Sequence, residues 1–136
     1  MKKIKKINAA IVIIGNEILS GRTQDVNVVN ISQWLNENGI KLEEVRVIPD
    51  VEKIIVMTIN EVRKKFDYIF TTGGIGPTHD DITSKSLAKA FNVKYDYHKE
   101  AYKILEDYYE KGKFNIGRKK MAKMPVTASL IYNPSS

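Results

Sequence analysis

Residues 67–83 read DYIFTTGGIGPTHDDIT, and this stretch decides the fold. An apolar run predicts a strand over 67–72, Gly73-Gly74 stops it, and a helix is predicted over about 81–91 with Leu87, Ala88 and Phe91 facing inward. Three glycines fall within four residues, Gly73, Gly74 and Gly76. Glycine lets backbone amides approach an anion closely, and a following helix start adds partial positive charge. Thr72 and Thr78 add hydroxyl donors. Such a turn either cradles phosphate or serves tight geometry alone. It is neither a P-loop nor a GxGxxG fingerprint.

Upstream, residues 7–14, INAAIVII, form the continuous apolar run of a parallel strand buried on both faces, and Gly15 breaks it. Residues 25–38 place Val28, Ile31, Trp34 and Leu35 at helical spacing before Gly39. A second strand is predicted over 40–48 and ends at Pro49-Asp50; residues 51–65 then carry Ile55, Thr58/Ile59, Val62 and Phe66 on one helical stripe. Downstream, a helix is expected over about 98–111 with Ala101, Ile104, Leu105 and Tyr108 inward, a short helix over 115–124, and a fourth strand over 129–132. Strand and helix alternate three times by residue 91. That predicts an α/β fold of three layers, a mostly parallel sheet with helices on both faces. The 136 residues predict one domain over 1–136. The stop at Asn133-Pro134, just after a predicted strand, predicts a domain without its C-terminal part, or one completed by a second copy in a homo-oligomer.

Composition excludes several classes. Apolar residues make up 43% and charged residues 28%, as in ordinary globular domains. With no cysteine there is no disulfide scaffold, thiolate metal site or Cys nucleophile. The basic, apolar N-terminus imitates a signal peptide but ends in Gly15-Asn16-Glu17 without a small-residue cleavage site, so a cytoplasmic protein is expected. No apolar run is long enough to span a membrane. The net charge of +6, concentrated in Lys2, Lys3, Lys5 and Lys6 and in Arg118, Lys119, Lys120 and Lys123, favours an anionic partner or is simply solvated. Aromatics are not interleaved with these runs, which argues against nucleic acid.

With strand order 2-1-3, the turns after strands 1 and 3 open onto one crevice, the usual ligand position in open α/β sheets. The first turn, Gly15 to Thr23, contributes Gly15, Asn16 and Ser20; Asn27 faces either crevice or solvent. Asp80 and Asp81 lie beside the second turn, with Glu17 and Asp50 expected nearby. Carboxylates repel phosphate, so a site holding both needs a bridging divalent metal such as Mg²⁺. The alternative is that Asp80 or Asp81 caps the helix, as Asp25 could cap the helix before Gly39. His79 reads as a solvent-facing turn residue, His98 as the start of a surface helix, and Tyr95, Tyr97, Tyr102, Tyr108 and Tyr109 as core and helix surface.

Four segments, GNEILSGRTQDVN (15–27), IPD (48–50), TTGGIGPTHDDIT (71–83) and NIGRKKMAKMP (115–125), resemble the molybdopterin-binding fold, and most of all the N-terminal domain of CinA-like (competence/damage-inducible) proteins. The resemblance covers nearly the whole chain from about residue 8. The related cofactor enzymes MogA and MoaB carry TGG-T-G-x-T-x-R-D at this loop. On that pattern Asp81 matches the functional aspartate, Gly73, Gly74 and Gly76 the phosphate-cradling turn, and Asp50 the acid after the second strand. The chain departs in having Asn16 where the family usually has Asp, and Asp80 where the cofactor enzymes have Arg. The second departure fits the CinA-like branch. The resemblance implies binding of an ADP-ribose-like nucleotide and hydrolysis of its pyrophosphate. Gly73, Gly74, Gly76, Thr72 and Thr78 would hold phosphate, and Arg118 and Lys119 would reach the nucleotide. Asp81, Asp80 and Asp50 would hold metal, with Asp81, Asp50 and Glu17 catalytic. The alternatives are a non-catalytic pterin or nucleotide module and a MogA/MoaB-type cofactor biosynthesis protein. Nothing in the chain resembles the deamidase domain of many CinA proteins.

Overall fold

A computed structural model describes residues 6–134; Lys2, Lys3 and Lys5 of the basic start and the last two serines lie outside the described residues. Strand β1 (Asn8–Ile14) is the centre of the molecule, buried from Ala9 to Ile14. It pairs in parallel with β2 (Lys41–Ile48) on one side and β3 (Tyr68–Thr72) on the other, giving the order β2-β1-β3. A strand with neighbours on both edges and cover on both faces has no polar surface to offer, which explains its unbroken apolar run. At its start the Asn8 amide donates to Asp67 (3.1 Å) and the Asp67 amide donates back to Asn8 Oδ1 (2.9 Å), pinning the β1–β3 register.

The chain passes from β1 to β2 through α2 (Asn27–Glu37), then back across β1 to β3 through α3 (Glu52–Val62). Right-handed crossovers in opposite directions put the two helices on opposite faces. Val12, Ile14 and Ile48 form one core with Ile55, Ile59 and Val62 of α3 and Ala90 of α4 (Thr83–Ala90). Ile55, Thr58, Ile59 and Val62 of the stripe read from sequence are buried as expected, while Phe66, past the end of α3, is partly buried against that core. On α2 only Leu35 is fully covered, whereas Trp34 is 53% exposed. Phe91 is also half exposed, under the Arg63 guanidinium 4.8 Å from its ring.

Past α4 the expectations need correction. Strand β4 (Tyr95–Tyr97), helix α5 (Lys99–Tyr108), helix α6 (Ile116–Lys120) and strand β5 (Lys123–Pro125) form a small unit in which β4 and β5 pair antiparallel. The helix expected over 115–124 is thus a five-residue turn followed by a strand. The reason is a competing partner: the Val126 amide bonds to Lys94 O (2.9 Å), the His98 amide to Ala122 O (2.8 Å), and Ser84 to Lys123 O (3.1 Å). Residues 129–132 form no strand, and Ile131 and Tyr132 are exposed. Ile104 and Tyr108 of α5 also face solvent, leaving Ala101 as its buried contact. The whole chain exposes 9830 Å², where a closed domain of 15.5 kDa would expose about 7,200 Å².

Gly73 and Gly74 join these parts. Both have positive φ (88° and 69°). A Cβ on Gly73 would lie 2.0 Å from the carbonyl oxygen of Ile14, and one on Gly74 would lie 2.1 Å from the Thr83 hydroxyl. Gly112 shares the positive φ (83°) but has open space around it. Gly73→Ala should therefore cost at least about 2 kcal/mol more than Gly112→Ala, which carries only the roughly 1 kcal/mol of left-handed strain. Urea denaturation midpoints of the two variants check this.

Candidate functional site

The carboxyl ends of β1, β2 and β3 bring the two glycine turns together, as the strand order requires. After Ile14 the chain makes a single helical turn, α1 (Asn16–Leu19), held in place by the Gly15 amide on Ile48 O (3.0 Å). After Thr72 it makes the Gly73–Asp81 turn. Thr83, fully buried, donates its hydroxyl to Gly73 O (2.8 Å), and its amide bonds to Gly74 O (3.0 Å). Between the turns lies a crevice of about 460 Å³. Its walls include Gly15, Asn16, Glu17, Asp50, Gly74, Thr78, Asp80 and Asp81, eight of the expected site residues. Thr72, Gly73 and Asn27 border an adjoining depression of about 210 Å³ that shares Glu17 with the crevice.

Asp81 has a defined task in this arrangement. Its Oδ2 accepts from the Thr78 amide (2.9 Å) and the Thr78 hydroxyl (2.8 Å). A Cβ on Gly76 would come within 2.8 Å of the same oxygen, so glycine leaves the carboxylate room to fold inward. Burial pushes the Asp81 carboxyl up, but bonds from Thr78 and from the Gly76 amide, with the Lys120 charge nearby, outweigh it and hold it below its ordinary value. The Thr78 and Gly76 amides expected to face a phosphate thus already face an anion of the chain itself. Neither Asp80 nor Asp81 caps α4, whose N-cap is Ile82 with no side-chain cap bond. Asp80 is exposed and pairs with His79 (3.3 Å). Asp25 does act as a cap: its carboxylate accepts from the Val28 amide (2.9 Å) in the first turn of α2. His98 caps α5 through Nδ1, accepting from Ala101.

Two cations at the site escape the sequence reading, which took Lys120 as part of a basic run and gave Arg22 no role. Lys120 reaches back from α6 and donates to the carbonyl oxygens of Thr78 and of Asp81, the latter at 2.6 Å. It locks the outer half of the turn. Arg22 lines the crevice, its Nε bonded to Ser20 Oγ (3.1 Å), while Ser20 itself stands outside the crevice lining. Arg118 is placed elsewhere. It donates to Lys113 O (2.6 Å) and lies 4.4 Å from the Tyr109 ring centre, away from the crevice lining. Helical position decides this: Arg118 and Lys120 are two residues apart and so point to different sides of α6.

The donor set for a metal is hard oxygen, suited to Mg²⁺. Yet among the described residues no three His, Asp or Glu side chains converge to hold a metal ion. Nor is any helix of the described residues long and apolar enough to cross a membrane.

Ionised Asp81 stabilises the closed turn at neutral pH, and this contribution is lost as pH falls through its depressed native value. The Thr78 amide resonance should therefore titrate with a midpoint below the ordinary aspartate value. In Lys120→Met the midpoint should move upward. A wild-type midpoint at or above the ordinary value contradicts the clasp.

Similarity to known proteins agrees with this architecture. The family described as "Probable molybdopterin binding domain" matches residues 10–134. A protein of Sulfolobus acidocaldarius is 38% identical over 128 residues, covering 92% of this chain and 48% of its own length. A CinA-like protein of Sulfurihydrogenibium is 34% identical over 130 residues, covering 94% of this chain and 32% of its own. The chain thus spans about half or less of the curated relatives it matches. Among solved structures, a CinA protein of Thermoplasma acidophilum superposes with a TM-score of 0.88 at 30% identity, over 95% of this chain and 76% of that one. The MoaB protein of Pyrococcus furiosus, titled as tungsten cofactor synthesizing, superposes with a TM-score of 0.57 at 19% identity, over 78% of this chain and 64% of its own, and shares the fold. A parallel sheet ordered β2-β1-β3, a glycine turn closed by Asp81, and these similarities place the chain in the molybdopterin-binding domain family, among its CinA-like members.

Proposed function

We propose that the crevice binds the phosphate end of a nucleotide-like or pterin-like ligand and hydrolyses the pyrophosphate of ADP-ribose or a related nucleotide. The observation that carries the reading is the single crevice formed by Gly15–Glu17, Asp50 and the Gly74–Asp81 turn at the switch point of the sheet. Phosphate oxygens would meet the Gly73–Gly74 backbone and the Arg22 guanidinium, whose planar donors suit phosphate. With Asp50 and Asp81 given to the cation and Asp80 paired with His79, Glu17 is the carboxylate left to accept a proton from the attacking water. Water attacks one phosphorus, the bridging P–O bond breaks, and the second phosphate leaves with the bond's electrons. Asp50 and Asp81, together with phosphate oxygens, would hold a divalent cation, which neutralises charge on the pyrophosphate. Asp81 also keeps the turn in shape through Thr78.

A second reading, binding without turnover, is favoured by the commitment of Asp81 to Thr78 and by the want of three converging carboxylates among the described residues. Incubation with ADP-ribose, FAD and molybdopterin analogues, with and without Mg²⁺, followed by product analysis, separates the two. Under the hydrolytic reading, Asp81→Asn lowers turnover by two orders of magnitude or more, about 2.7 kcal/mol of barrier. Unchanged hydrolysis in that variant moves the catalytic role to Asp50 and Glu17. Absence of turnover in the wild type with retained binding selects the second reading.

A further inference from the structure

Residues 94–125 carry nine Lys or Arg against five Asp or Glu. Three of those acids are already paired, Asp96 with Lys94 (3.3 Å), and Glu106 and Asp107 with Lys103. The tyrosines and the basic run lie apart in the sequence, but the small unit interleaves them in space. The antiparallel register of β4 and β5 sets Lys123 opposite Tyr97, with its Nζ 4.9 Å from the ring centre. From Tyr97 the rings follow one another in contact. Tyr97 meets Tyr102 (5.6 Å between centres) and Tyr102 meets Phe114 (5.1 Å). Phe114 then stacks with Tyr109 (6.1 Å), and Tyr109 meets Tyr108 edge-on (5.1 Å). The cations keep the same order along this run: after Lys123, Lys119 lies 5.8 Å from the Phe114 ring centre and Arg118 4.4 Å from that of Tyr109.

The two ends of the run are open: Tyr97 is 42% exposed and Tyr108 66%. The three rings between them are half-buried and support them. Among the described residues, none of Arg118, Lys119 and Lys123 forms a salt bridge with a carboxylate. A ring face holds a cation in place without cancelling its charge, so each remains able to meet an anion. A lone exposed ring or a solvated lysine is ordinary. Two open rings at the ends of a row of uncancelled cations supply both parts of a single-strand platform, stacking for bases and charge for the phosphates between them. We propose that this face of the small unit binds single-stranded nucleic acid without sequence preference, bases on Tyr97 and Tyr108 and phosphates on Lys123, Lys119 and Arg118. A duplex has no free base faces to offer such rings, and an acidic peptide would use only the charge. None of these residues lines the crevice, so the two sites are separate.

Fluorescence anisotropy titrations with a short labelled oligothymidylate, an abasic strand of equal length, a duplex and polyglutamate test this. The wild type should bind the thymidylate about fivefold or more tightly than each of the others. Its log K should fall against log salt with a slope of about −2 or steeper, as three phosphate contacts on a single strand require. Tyr108→Ala should weaken thymidylate binding about fivefold or more and leave abasic binding unchanged, and Tyr108→Phe should retain the wild-type affinity. The double variant Arg118→Gln, Lys119→Gln should weaken both strands and flatten the salt slope by about 1.4. Pyrophosphate at constant ionic strength should not displace the strand. No thymidylate binding, equal affinity for the abasic strand, or unchanged affinity in Tyr108→Ala overturns the proposal. So does preference for the duplex or polyglutamate, and displacement by pyrophosphate overturns it by moving the strand to the crevice.

Discussion

The Gly73 backbone sits against the Ile14 carbonyl with no room for a side chain, and the Thr83 hydroxyl bonds to Gly73 O. This contact ties the end of the central strand to the end of β3 and the start of α4. It fixes how far apart the two glycine turns stand, and so it fixes the crevice. The requirement is steric before it is chemical: a left-handed backbone and a sub-van der Waals Cβ position admit only glycine. Phosphate binding and tight geometry, posed as alternatives by the sequence, are therefore compatible. The same glycine that lets strands 1 and 3 meet brings amides to the mouth of the site.

The chain's own charges hold the turn in shape. Asp81 faces inward onto Thr78, and Lys120 bonds the outward carbonyls of Thr78 and Asp81. The turn is thus held from both sides by side chains of opposite sign, one local and one from 39 residues away. On the proposed function, an incoming phosphate would meet an arrangement already satisfied by an internal carboxylate. Displacing or joining that carboxylate is the step on which affinity would depend, and Arg22 is the crevice cation available to favour it.

The sheet and its helices were legible because their signals are long and periodic. Residues 7–14, 40–48 and 67–72 each became strands, and Ile55, Thr58, Ile59 and Val62 of the α3 stripe are buried. The β4–β5 pair was not legible. Three residues, Tyr95–Tyr97, are too short to show alternation, and Lys123–Pro125 follows a helical start without a break. Their pairing is a tertiary choice, made by backbone bonds to Lys94 and Ala122. The eight crevice residues could be read because strand order sends both turns to one end. Lys120 could not be told from Arg118 and Lys119, since one basic run covers all three and only the five-residue helix separates their directions. Trp34 illustrates the reverse error, an apolar residue at helical spacing that lies beyond the width of the buried stripe.

The central claim is that the carboxyl ends of β1 and β3 form the anion site. Amide chemical-shift mapping during titration with pyrophosphate tests it most directly. The account predicts that shifts concentrate at Gly15–Glu17, Arg22 and Gly73–Asp81. Shifts centred instead on Asn8, Gly39–Lys41 and Asp67, at the opposite end of the strands, would contradict it.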